Sequence, residues 1–181
     1  TLICTPAGYG KSTLLSAWLE ASEGPWAWLS LETRHDELRT LASVIVSAID
    51  EVVPEPLVET RSRLSGGAAA PESLAASLAR EIPAAEGNPL ILVLDDYHAI
   101  HNAEVHEFVM YLLRAGAGKL HLAVATRSDP PLPLARLRAR GQLTEIRQQD
   151  LRFSTEETAE FLTRALERGI DPAVARVLEE K

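Results

Sequence analysis

A lysine and a hydroxyl that directly follow a glycine, Gly10-Lys11-Ser12, carry the first chemistry in this chain. They belong to the run Thr5-Pro6-Ala7-Gly8-Tyr9-Gly10-Lys11-Ser12-Thr13, entered straight from the apolar Leu2-Ile3-Cys4. Strand, glycine-bearing turn and helix in that order read as a phosphate-binding loop. Glycines let successive backbone N–H groups point into one concavity, and the helix that follows aims the positive end of its dipole at the same place. Ala7, Gly8, Tyr9, Gly10, Lys11, Ser12 and Thr13 are therefore expected to cradle a nucleoside triphosphate. Lys11 would reach the β and γ phosphates and Ser12 would coordinate Mg²⁺. Thr5 stands where the usual pattern has a glycine, so Gly8 and Gly10 are expected to supply the permissive φ angles. The plain alternative is a turn ahead of an amphipathic helix. The apolar strand before it and the helix bearing Leu14, Leu15, Trp18 and Leu19 after it favour the phosphate loop.

A second group of acids and a third strand complete a possible reaction site. Leu90-Ile91-Leu92-Val93-Leu94 is a continuous apolar run ending in Asp95-Asp96, the pattern of a strand buried on both faces whose C-terminal end opens onto a ligand. Asp95 is expected to hold Mg²⁺, mostly through water, and Asp96 to orient or deprotonate an attacking water. A turn or capping residue is the alternative for Asp96. The run 120–126 is a further strand that delivers Arg127 to the same edge. Its guanidinium could sense a γ-phosphate, or it could pair structurally with Asp129 or Asp95. Lys11, Asp96 and Arg127 are thus the candidate catalytic groups, and Ser12 and Asp95 the candidate metal ligands.

The elements that must position these groups alternate. After the first helix, 26–31 alternates as a second strand, and Asp36 is expected to begin a helix with Leu38, Leu41, Ala42, Ile45, Ala48, Ile49 and Val52 on one face, closed by Pro54. Residues 55–70 read as a mobile connection or weak helix before an Ala-rich helix opened by Pro71. A helix over 105–114 and a short strand over 143–146 follow. Beyond that the period is helical only: Ser154 and Glu157 form a capping box, Gly169 stops that helix and Asp171-Pro172 starts another. The expectation is an α/β fold, a P-loop NTPase with a parallel sheet flanked by helices over 1–153, followed by the start of a small helical subdomain over 154–181. The abrupt ends suggest a piece excised from a longer protein.

Composition agrees and excludes several classes. With 181 residues, 46% of them hydrophobic and 24% charged, the chain can bury a real core and is not disordered in composition. No apolar stretch is long enough for a bilayer, and no signal-peptide pattern opens the chain. One cysteine, Cys4, precludes an internal disulfide and fits a reducing, cytoplasmic setting. The net charge of −8 argues against this segment gripping a nucleic-acid backbone. Arg136, Arg138 and Arg140 cluster near Arg127, and a solvated helix face is the simplest account of them.

Several segments together carry a family resemblance: Thr-Pro-Ala-Gly-Tyr-Gly-Lys-Ser-Thr-Leu-Leu, Trp28-Leu29-Ser30-Leu31, Leu92-Val93-Leu94-Asp95-Asp96-Tyr97-His98, Thr126-Arg127-Ser128-Asp129-Pro130-Pro131 with the following Leu-Pro-Leu-Ala-Arg-Leu-Arg, and Asp150-Leu151-Arg152-Phe153. In order and nearly end to end, they resemble the ATPase module of large LuxR-type transcriptional regulators, the MalT-like group of signal-transduction ATPases. The resemblance implies ATP and Mg²⁺ as ligands and an active, self-associating ATP state reset by slow hydrolysis. It also implies an inducer sensed by later helical repeats, and DNA bound only through a region outside this chain. His98 matches the family motif, and a surface-turn imidazole is the simpler reading of it. A P-loop small-molecule kinase or other ATPase and a module that binds ATP without hydrolysing it are the alternatives. No Asn-Lys-x-Asp segment follows the later strands to favour guanine.

Overall fold

The computed structural model describes residues 1–67, 70–83, 88–152 and 157. In chain order these contain β1 (Leu2–Cys4), α1 (Lys11–Glu20), β2 (Trp26–Ser30), α2 (Leu38–Asp50), α3 (Val58–Ser65), α4 (Pro71–Glu81), β3 (Leu90–Asp95), α5 (Ala103–Ala115), β4 (Leu120–Thr126), α6 (Leu134–Ala139) and β5 (Glu145–Arg147). Short 3₁₀ turns lie at Thr33–His35, Tyr97–Ala99 and Gln148–Leu151. Residues Thr1–Arg147 make one compact unit and Gln148–Lys181 a second. The capping box at Ser154 and Glu157, the stop at Gly169 and the start at Asp171-Pro172 fall outside the described residues, except Glu157 itself.

The strands form one sheet in the order β2-β3-β4-β1-β5, every neighbouring pair parallel. β3 is buried at all six positions because it has strands on both sides and packing on both faces, which is why it reads as an unbroken apolar run. Leu90, Leu92 and Leu94 join the main core with Leu41, Ile45 and Ile49 of α2, Leu74 and Leu78 of α4, and Phe108 and Leu112 of α5. Strand alternation sends Ile91, Val93 and Asp95 to the opposite face, where α1 lies and Ser12 meets Asp95. β1 and β3 are separated by β4, so the loop after β1 and the acids after β3 meet across the C-terminal end of β4.

The start of α2 differs from the sequence reading. Asp36 does not begin α2: its carboxylate accepts the backbone N–H groups of His101 and Asn102, both at 2.7 Å, and so ties down the approach to α5. Glu37 is the N-cap instead, accepting from Arg39 N and Thr40 N. Within 55–70, read as a mobile connection or weak helix, the helix alternative holds: Val58–Ser65 is helical, with Thr60 and Leu64 buried. Its first turn is capped from another helix, because Glu81 of α4 accepts from the amides of Glu59 and Thr60.

Candidate functional site

The loop between β1 and α1 turns on its glycines. Gly8 and Gly10 have φ of +87° and +74°, with no atom within 4 Å of where a Cβ would stand, so conformation and not crowding requires glycine there. Thr5 needs no glycine: its N–H continues the ladder by donating to Thr126 O at 3.2 Å, and the residue is buried. Helix α1 opens with Gly10 as N-cap, without a side-chain cap and without an acid in its first turn. No acid of its own sequence therefore meets its positive dipole end, beside exposed Ser12 and Thr13.

Lys11 is buried and folds back on its own loop, donating from Nζ to Thr5 O at 2.9 Å and Pro6 O at 2.8 Å. Ser12 Oγ donates to Asp95 Oδ2 at 2.7 Å, while Asp95 Oδ1 accepts the N–H of Asp96 at 2.9 Å. The two candidate metal ligands, 83 positions apart in sequence, are thus in direct contact. A hydroxyl and a buried carboxylate at the mouth of the loop are hard oxygen donors, the chemistry Mg²⁺ takes, so the residues present fit that ion.

Asp96 stands apart from Asp95. It is the one non-glycine residue with positive φ among the described residues, at φ 55° and ψ 37°. Such a conformation costs about 1–2 kcal/mol for an ordinary side chain, less for aspartate. Although it precedes the 3₁₀ turn Tyr97–Ala99, its side chain makes no capping bond, and its carboxylate is half-exposed. Arg127 is exposed directly beyond β4, and among the described residues it makes no ion pair. It pairs with neither of the two structural partners weighed for it: Asp129 is bound by Arg147 and Asp95 by Ser12.

His98 is more than the surface-turn histidine expected. Its Nδ1 is buried without a hydrogen-bond partner among the described residues, 3.7 Å from Asp96 Oδ1. Burial first, and then the Arg127 guanidinium, push its pKa below the usual histidine value. Lys11 adds to that, while Asp96 and Asp95 oppose it. Lys11, Asp95, Asp96 and Arg127 thus all act electrostatically on one imidazole, and sequence spacing alone gave no sign of it. Beside His98 a cleft of about 250 Å³ is lined in part by Tyr97, Thr126, Ser128 and Pro131.

The family model of the AAA ATPase domain matches residues 1–125. The HTH-type transcriptional regulator MalT of Cronobacter sakazakii is 38% identical over 178 residues, covering 95% of this chain and 19% of that protein. MalT of Klebsiella pneumoniae is 37% identical over 166 residues, covering 88% and 18%. The chain spans about a fifth of the length of these curated relatives. Among solved structures, a chain of Drosophila ORC bound to DNA aligns with a TM-score of 0.54 at 13% identity, over 92% of this chain and 41% of that one, a likeness of fold alone.

Proposed function

The chain belongs to the AAA ATPase domain family as a MalT-like module, and from that membership we propose that it binds Mg²⁺-ATP, hydrolyses it slowly, and uses nucleotide state to control self-association of a larger transcriptional regulator. The observation that carries the reading is the Ser12–Asp95 hydrogen bond at the mouth of a loop bent by Gly8 and Gly10. It unites the hydroxyl after the loop lysine with the acid at a strand end, from opposite sides of β4.

Each residue then has a distinct task. Backbone amides of residues 7–13 receive the phosphates at the N-terminal end of α1. Lys11 exchanges the carbonyls of Thr5 and Pro6 for β and γ phosphate oxygens, a move within reach of a flexible four-carbon stem. Ser12, and Asp95 through water, would hold Mg²⁺, which when bound neutralises charge on the phosphates. Asp96, free of any cap, orients the attacking water and accepts its proton. Arg127 meets the charge of the γ-phosphate with a guanidinium that cannot deprotonate. DNA contact belongs to parts of the regulator outside this acidic chain.

Thermal unfolding with Mg²⁺-ATP, Mg²⁺-ADP and Mg²⁺-GTP tests the reading. ATP at a hundred times its Kd should add roughly 2.7 kcal/mol of stability, and GTP should add much less. Unfolding unaffected by every nucleotide would reject the site.

A further inference from the structure

We infer that Asp129 and Arg147 are positioning residues: their ion pair holds the loop that carries Arg127, so the placement of that cation depends on where β5 ends. The inference rests on the reading of Arg127 as a phosphate-facing group.

The loop is pinned on both sides of Arg127. On one side β4 ends at Thr126, whose carbonyl accepts from Thr5 N at 3.2 Å and whose Oγ1 donates to Ser128 O at 2.9 Å. On the other side the Asp129 carboxylate is bound by the Arg147 guanidinium. Arg147 is the last residue of β5, and Cys4 of β1 is in register with both Thr126 and Arg147. The pair therefore spans the end of β1 and links two strands that do not touch each other. Arg147 also binds Glu145 at 2.6 Å, and Glu145 in turn takes Arg138 of α6. Among the described residues one guanidinium fork thus meets both the Asp129 and Glu145 carboxylates, a geometry that a lysine ammonium does not reproduce.

Burial does not explain this arrangement. The Asp129 side chain is 55% exposed and that of Arg147 29%, and ion pairs so exposed contribute little to stability. What the pair fixes is direction. Arg127, two residues before Asp129, has no carboxylate of its own among the described residues, so its guanidinium stays available while its neighbours are held. Arg147 is also the final residue of the first compact unit.

Two readouts separate the positioning role from the function it serves. In Asp129→Asn and Arg147→Gln, backbone hydrogen exchange over residues 126–132 should quicken without nucleotide, while β3 stays protected and the unfolding temperature barely moves. Unchanged exchange there would overturn the inference whatever the nucleotide behaviour. With nucleotide, each variant should lose roughly tenfold in preference for ATP over ADP, and combining it with Arg127→Ala should add no further loss. Equal losses for both nucleotides, or additive losses, would also overturn it. If the unaltered chain shows no preference for ATP, or Arg127→Ala keeps it, the reading of Arg127 fails instead, and the exchange data still decide whether the pair positions the loop.

Discussion

On the proposed reading the site depends most on Lys11, whose buried ammonium now donates to two carbonyls of its own loop. Lys11→Ala should abolish ATP binding in calorimetric titration, since no other cation stands in the loop. Asp96→Asn should leave that binding near normal and slow phosphate release about a hundredfold, the size of a lost general base; unchanged turnover would reduce Asp96 to a turn residue. Much of the placement of these residues, though not their roles, was legible in the chain. The glycines, Lys11, Ser12 and the paired acids are local patterns, and local patterns survive in sequence. The meeting of Ser12 with Asp95 was implied only by both lying at the C-terminal edge of a parallel sheet. The burial of His98 Nδ1 was not legible, because burial of a turn side chain depends on tertiary packing that local sequence does not show.

Elements were read best where they bury a full face. β3 and α2 announce themselves by unbroken or 3.6-residue apolar patterns. α3 does not, for it is short and polar, and its stability comes from tertiary partners: Glu81 capping its first turn and Asp50 accepting the N–H of Leu57. Asp36 was misread for a related reason. An acid just before an apolar helix looks like its cap, yet the carboxylate serves amides 65 and 66 positions away. At this scale the tight junction between α5 and β4 is open to test. A Cβ on Gly116 would lie 2.9 Å from Leu120 Cβ and 3.0 Å from Leu112 O, both fixed by the helix and strand they belong to. Gly116→Ala should therefore cost about 1–3 kcal/mol by overpacking, measured as a lower urea midpoint with an unchanged slope. An unshifted midpoint would mean that the junction relaxes freely.

For the whole molecule, the sheet order places the phosphate loop, the paired acids and Arg127 on one edge, while the largest apolar cluster lies on the face away from α1. A site at a sheet edge can change its contacts with ligand without disturbing that core, which suits a switch better than a rearrangement of packing would. Among the described residues no helix is long and apolar enough to cross a membrane. On the proposed function, slow turnover would matter because the lifetime of the ATP state would then set the lifetime of the assembly. The measurement that bears on this most directly is sedimentation of the full-length regulator in Mg²⁺-ATP and in Mg²⁺-ADP, with Lys11→Ala as control. Nucleotide-controlled assembly predicts a concentration-dependent larger species in ATP, the monomer in ADP, and the monomer in both for the variant. The same mass in both nucleotides for the unaltered protein would contradict it.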